Sequence, residues 1–166
     1  IAAAKVLSET FERVIVLEKD DPHRRREGRS GAAQGWHLHH LLTAGRIELE
    51  RIFPGIIDDM VAEGAFDVDM AAQYRIRLGG SWKKPATGDI NIVCAARPLL
   101  EWCLRRRLDN EPRILFRYES DVADLVYDRA DNAVIGVAVD HGGGELEVVP
   151  AEFVVEAIEL GLFFGP

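Results

Sequence analysis

Cysteine is scarce in this 166-residue chain: Cys94 and Cys103 are the only two. Two thiols cannot build a disulfide framework and no CxxC pair is present, so a reducing compartment is expected. No apolar run approaches the roughly 20 residues that a membrane-spanning helix needs. The opening Ile1-Ala2-Ala3-Ala4-Lys5 lacks the basic leader and apolar stretch of a signal peptide, and a cytoplasmic location is expected. Positive charge is in the minority, with 20 Lys and Arg against 28 Asp and Glu and a net charge of -8. That balance disfavours nucleic acid as the main partner, because phosphate backbones need local positive charge. None of Ser8, Ser30, Ser81 or Ser120 sits in a G-x-S-x-G elbow, so a hydrolase signature is missing. There is no internal repeat and no low-complexity linker. The chain begins with Ile rather than Met, which reads as a fragment, a processed form or an incompletely traced chain.

What is present is ordinary globular composition, 48% hydrophobic and 29% charged. A domain of this size buries roughly 70% of the surface its unfolded chain exposes. Residues 1–9 (IAAAKVLSE) read as helix, because they are Ala-rich and free of Gly and Pro. Val14-Ile15-Val16-Leu17 is a short continuous apolar run that suits a strand buried on both faces of a parallel sheet. The polar stretch Lys19 to Gly31 reads as loop. Leu38 to Phe53 has helical spacing and stops at Pro54-Gly55. A second short helix is expected over Ile56 to Glu63, closed by Gly64. Residues 72–78 and 90–94 read as strands, and Leu99 to Leu108 as a helix with Pro98 in its first turn. From Ile114 the period becomes two: 114–118, 121–127, 133–139 and 145–149 read as a β-meander, with Phe153-Val154-Val155 as a final buried strand.

The opening helix, the buried strand and Glu18 after it look like the back half of a βαβ unit. In dinucleotide-binding folds an acidic residue at the end of the second strand accepts hydrogen bonds from an adenosine ribose. The alternative is a solvated residue that merely follows a strand. The G-x-G-x-x-G loop that decides between them would lie just before Ile1.

The segment Arg29-Ser30-Gly31-Ala32-Ala33-Gln34-Gly35-Trp36-His37-Leu38-His39-His40-Leu41-Leu42 resembles R-x-G-x-P-Q-G-x-H-x-H-x-L-L of FAD-dependent oxidoreductases related to the flavin aromatic hydroxylases, with Ala33 in place of Pro. Leu49-Glu50-Arg51-Ile52-Phe53-Pro54-Gly55 is similar to that family's L-E-x-x-F-P-G. Ala96-Arg97-Pro98-Leu99-Leu100-Glu101 is similar to its S-R-P-L-L-E, with Ala for Ser. The three segments occur in the family's order across residues 29–101, and the resemblance covers about residues 1–157. Where the family continues into a turn such as S-G-R, this chain has Ile158-Glu159-Leu160-Gly161. The family's second flavin-phosphate motif and most of its substrate domain are missing.

The resemblance implies FAD as cofactor and a set of residues to hold it. Glu18, with Lys19 beside it, would take the adenosine ribose. Arg29 and Gln34 would lie near the flavin nucleotide, and Arg97 would contact its ribityl or pyrophosphate region. A planar guanidinium suits that task because it binds phosphate oxygens bidentately. The backbone at Val122 would meet adenine, although an apolar strand residue is normally core. Arg24 to Arg26 follow Glu18 at loop distance. Arg26 in particular is a candidate for the FAD phosphates, with a solvated loop as the alternative. Arg105 to Arg107 read as cations that complement a helix C-terminus. His37, His39 and His40 lack the further ligands of a metal site and read as structural, as does an exposed turn residue His141. Cys94 and Cys103 read as buried, inert thiols.

These readings combine into one expectation. The fold is α/β, a Rossmann-like FAD-binding domain with a parallel sheet, crossover helices and a β-meander, incomplete at both ends. Residues 1–157 form this partial domain, including part of a substrate-side segment around 55–95, and 158–166 stay unassigned. The parent protein is expected to be a flavin monooxygenase or hydroxylase of a small organic substrate, with NAD(P)H and dioxygen as the implied co-reactants. The alternatives are an FAD-dependent reductase without oxygen insertion and a non-catalytic fragment. The piece alone is expected to be inactive, and no catalytic residue is assigned.

Overall fold

The structure is a computed structural model, and it describes residues 1–20 and 38–156. An Ala-rich helix, α1 (Ala2–Leu7), leads into strand β1 (Val14–Leu17). Strand β2 (Leu38–Leu41) then precedes helices α2 (Thr43–Ile52) and α3 (Ile56–Ala62). Strand β3 (Phe66–Asp69), the short helix α4 (Met70–Gln73) and the hairpin of β4 (Arg77–Leu78) and β5 (Ser81–Trp82) follow. Strand β6 (Asn91–Ala96) runs directly into helix α5 (Arg97–Leu108). Strand β7 (Ile114–Arg117) and the three strands β8 (Asp121–Asp128), β9 (Ala133–Asp140) and β10 (Leu146–Pro150) complete the described chain.

The architecture is mixed α/β. Among the described residues, β1 and β7 form a parallel pair, with Val14 opposite Ile114 and Leu17 opposite Arg117. The other pairings are antiparallel: β2-β6-β3, β4-β5 and β10-β9-β8. Alternate β1 side chains point to opposite faces, and both faces are covered. Val14 and Val16 join a core with Ile56, Met60, Val93, Cys103 and Leu108. Ile15 and Leu17 pack instead against Val137, Val139 and Val149 of the meander. An uninterrupted apolar run suits β1, because both of its faces pack against apolar side chains. Gly136 marks the closest approach inside the meander. A Cβ there would lie 2.5 Å from the Val149 carbonyl oxygen.

Several elements differ from the sequence expectation, each for a physical reason. Leu38 to Leu41 is a strand, not the first turn of a helix. Its residues pair with Val93 to Ala96, and the helix begins only at Thr43. The strand expected at 72–78 is split. Asp69 accepts hydrogen bonds from the backbone N–H groups of Ala71 and Ala72, and this N-cap nucleates α4 in its place. Only Arg77–Leu78 is strand there, and Phe66–Asp69 forms an additional strand. Ile114–Arg117 leaves the meander to pair with β1. Phe153 to Val155 is not a strand. Phe153 is exposed and stacks on Phe11 at 6.0 Å between ring centroids, and Val155 is also exposed.

The L-E-x-x-F-P-G segment has a structural explanation. Glu50 accepts hydrogen bonds from the backbone N–H groups of Gly55 (2.5 Å) and Ile57 (3.2 Å), and so satisfies donors at the start of α3. Phe53 is buried, and Gly55 takes φ +82°, a left-handed conformation that favours glycine. The α2–α3 corner places Ile56, Ile57 and Met60 in the core.

The parallel pair is fastened to the meander by an ion cluster. Arg117 on β7 donates to both carboxylate oxygens of Glu147 on β10, at 2.9 and 2.5 Å, and His141 Nε2 donates at 2.7 Å. His141 is thus engaged rather than a bare turn residue. The Arg117 hydrogen bonds hold the Glu147 carboxyl at about 2, well below its ordinary value, and His141 adds to the effect. A lowered folded-state value means the contribution to stability is complete above the ordinary carboxylate range. It is lost as pH falls through the folded value. Arg117→Ala should therefore raise the Glu147 value toward 4.5, the ordinary value, in an NMR pH titration. An unchanged Glu147 titration would show that Arg117 does not hold it.

Candidate functional site

The C-terminal edge of the parallel pair gathers the chemistry. Glu18 follows β1 directly. Its N–H donates to the Arg117 carbonyl (2.9 Å), and its own carbonyl accepts from Ser120 N–H (3.1 Å). The β7–β8 connection that supplies these partners contains Glu119 at φ +52°, an uncommon conformation for a residue with a Cβ. The Glu18 backbone is thereby held in register with residues 117–120.

The Glu18 carboxylate accepts a hydrogen bond from the Arg105 guanidinium at 2.7 Å, and the two side chains are only 17% and 18% exposed. The guanidinium also lies over the Tyr118 ring, 5.6 Å from its centroid. Tyr118 in turn stacks on Phe116 at 5.8 Å with an interplanar angle of 9°. Arg105 is therefore gripped between a carboxylate and an aromatic pair, an arrangement that limits its rotamers.

Lys19 pairs with Asp121 at 2.5 Å, and both side chains are well exposed. The hydrogen bond to Asp121 raises the Lys19 value above normal. Exposed pairs of this kind contribute little stability. Val122 pairs with Val139 in register and is 44% exposed, so its side chain is not core. An irregularity in the ladder follows immediately, between Val122 and Asp124.

Arg97 opens α5, with Pro98 in the first turn. Its Nε donates to Glu101 at 2.9 Å, and the two side chains are 25% and 18% exposed. A cation in the first turn opposes the helix dipole, and no acidic residue lies in that turn. The i, i+4 pair with Glu101 offsets part of that cost. Arg97, Glu101 and Arg105 are spaced by four and share one face of α5. With Glu18 they make an alternating row of half-buried charges. At about 1.5 Å per residue, Arg97 and Arg105 stand roughly 12 Å apart along the helix axis.

The structure thus brings Glu18 and Lys19 to one strand edge with Val122 close in sequence to their partners Ser120 and Asp121. It places Arg97 at the far end of the helix that contacts Glu18. Arg26, Arg29 and Gln34 lie outside the described residues, as do Arg24, Arg25 and His37. Arg105 to Arg107 do more than complement the helix end. Each arginine reaches another element: Arg105 to Glu18, Arg106 to Glu63 (3.0 Å) and Arg107 to Asp59 (2.6 Å). Arg106 also lies over the Trp102 ring at 4.6 Å. Sequence reasoning missed Arg105. The available signal was its i, i+8 spacing from Arg97 through Glu101.

A second polar cluster sits on the β2-β6-β3 sheet, where His40, Cys94 and Phe66 are register partners. The Tyr74 hydroxyl lies 2.9 Å from His40 Nε2 and 3.3 Å from Cys94 Sγ. The contact with Cys94, followed by burial, raises the Tyr74 value. Cys94 is thus half-buried and hydrogen-bonded, whereas Cys103 is fully buried. Among the described residues no group of three His, Cys, Asp or Glu is placed to hold a metal ion. No described helix is long and apolar enough to cross a membrane.

This geometry belongs to a known α/β fold. Over 90% of its length the chain superposes on PqsL of Pseudomonas aeruginosa, described as a probable FAD-dependent monooxygenase, with a TM-score of 0.62 and 15% identity. A four-substitution variant of PqsL matches with the same TM-score at 17% identity. In sequence, Protein Rv3254 of Mycobacterium tuberculosis is 31% identical over 173 residues, an alignment that covers 97% of this chain. No family model matches the chain. The chain spans 36% of the length of Protein Rv3254 and 36% of that of PqsL, about a third of each.

Proposed function

We propose that residues 1–157 are part of the FAD-binding domain of a flavin-dependent oxidoreductase, with the stretch around 55–95 on its substrate side. The parent activity is hydroxylation or another monooxygenation of a small organic substrate, with NAD(P)H as reductant and dioxygen as oxidant. The observation that carries this reading is the fold shared with PqsL across nine-tenths of the chain. The residues present also fit the cofactor. Glu18 offers a fixed carboxylate beyond the end of a parallel strand, the position at which such folds bind a ribose. Arg97 offers a guanidinium at a helix start that no side chain caps, which suits phosphate or ribityl oxygens. Lys19, Arg26, Arg29, Gln34 and the Val122 backbone complete the proposed cofactor contacts. The flavin supplies the redox chemistry, and the protein binds it, orients it and excludes water. The two free cysteines accord with a reducing, cytoplasmic setting.

Product analysis during NAD(P)H oxidation by the FAD-loaded full-length protein tests the activity. An oxygenated organic product is expected. NAD(P)H oxidation that reduces the organic substrate without inserting oxygen would assign a reductase instead. Arg97→Lys should weaken FAD binding by about 1 kcal/mol or more, because an ammonium cannot reproduce a planar two-pronged donor. Unchanged affinity in Arg97→Lys and Arg97→Ala alike would remove Arg97 from the site.

A further inference from the structure

We infer that Arg105 is the positioning residue for the Glu18 carboxylate, fixing it for the adenosine ribose at the edge of the parallel pair. The inference rests on the FAD reading above and adds to it a residue from outside the nucleotide-binding strand. A free glutamate samples several rotamers, and a carboxylate that must meet two ribose hydroxyls gains from being held in one. Arg105 supplies that restraint, at 2.7 Å and with both side chains less than a fifth exposed. The restraint is itself braced, because Tyr118 underlies the guanidinium and Phe116 underlies Tyr118. A carboxylate presents two oxygens with about four lone-pair sites, so one carboxylate can accept from a guanidinium and from ribose hydroxyls together. The contact spans 87 positions of sequence and couples α5 to the strand edge. Since Arg97 opens the same helix, α5 ties the proposed ribose end of the site to its proposed phosphate or ribityl end.

The test is FAD titration of the full-length protein, followed by flavin fluorescence, in Arg105→Met, Arg105→Lys, Glu18→Gln and the Arg105→Met/Glu18→Gln pair. Arg105→Met should raise the FAD dissociation constant about tenfold, the scale of one charge-assisted hydrogen bond. Arg105→Lys should recover part of that loss. In the Glu18→Gln background, Arg105→Met should add little, because coupled residues do not contribute independently. The melting temperature without FAD separates binding from folding: a positioning role predicts a loss of affinity beyond any loss of stability. Wild-type affinity in Arg105→Met overturns the assignment, whether or not the melting temperature falls. Losses that multiply in the double variant also overturn it. A wild-type protein that takes up no FAD would instead defeat the FAD reading itself, which keeps the two failures distinct.

Discussion

Met60→Ala should lower the unfolding free energy by about 2–5 kcal/mol, the range for emptying a fully packed site. Met60 is 0% exposed and lies in the cluster that joins α3 to Cys103, Leu104 and Leu108 of α5. Its removal takes away apolar burial and leaves a cavity that helices fixed by the Glu50 cap and the Asp59–Arg107 ion pair cannot readily close. Domains of this kind are stable by only about 5–15 kcal/mol, so the loss is a large share of the total. Urea unfolding of the full-length protein measures it. Val61→Ala, one residue away and 42% exposed, serves as the comparison and should cost less than about 1 kcal/mol. Equal effects at the two positions would mean that α3 does not pack against α5 as described.

The second large effect is on binding. Glu18→Ala should weaken FAD binding by about 1–3 kcal/mol, a loss of roughly tenfold to more than a hundredfold. The variant removes the proposed ribose acceptor and leaves the half-buried Arg105 guanidinium without that carboxylate. Some loss of stability is therefore expected alongside the loss of affinity. The two are separable, because equilibrium titration reads binding among molecules that are folded. A variant that melts earlier yet binds FAD as tightly as wild type would make Glu18 a structural ion-pair partner and nothing more.

Elements governed by local chemistry were legible in the sequence. The run Val14 to Leu17 reads as a doubly covered strand because both of its faces must be apolar, and both are. Pro98 marks the start of α5 because a first-turn proline loses no helical hydrogen bond. Gly64, at φ +104°, follows α3 as its sequence position suggests. Elements decided by distant partners were misread. Leu38, Leu41 and Leu42 fit a helical stripe, yet β6 recruits residues 38–41 into a sheet. Ile114 to Arg117 reads with the meander strands that follow it, and its parallel pairing with β1, a hundred residues earlier, is made only through the fold.

The site divides in the same way. Glu18 stood out because it ends a readable strand, and Arg97 because it lies in the segment that resembles S-R-P-L-L-E. Arg105 did not, because a run of three arginines at a helix C-terminus already has an adequate local explanation. Its partner is Glu18, reached only through the fold.

The visible absorbance of the purified full-length protein tests the proposed FAD-binding role most directly. A yellow protein with bound-flavin bands is expected, and its apo form should regain them when titrated with FAD. A colourless protein that takes up no FAD on reconstitution would contradict it.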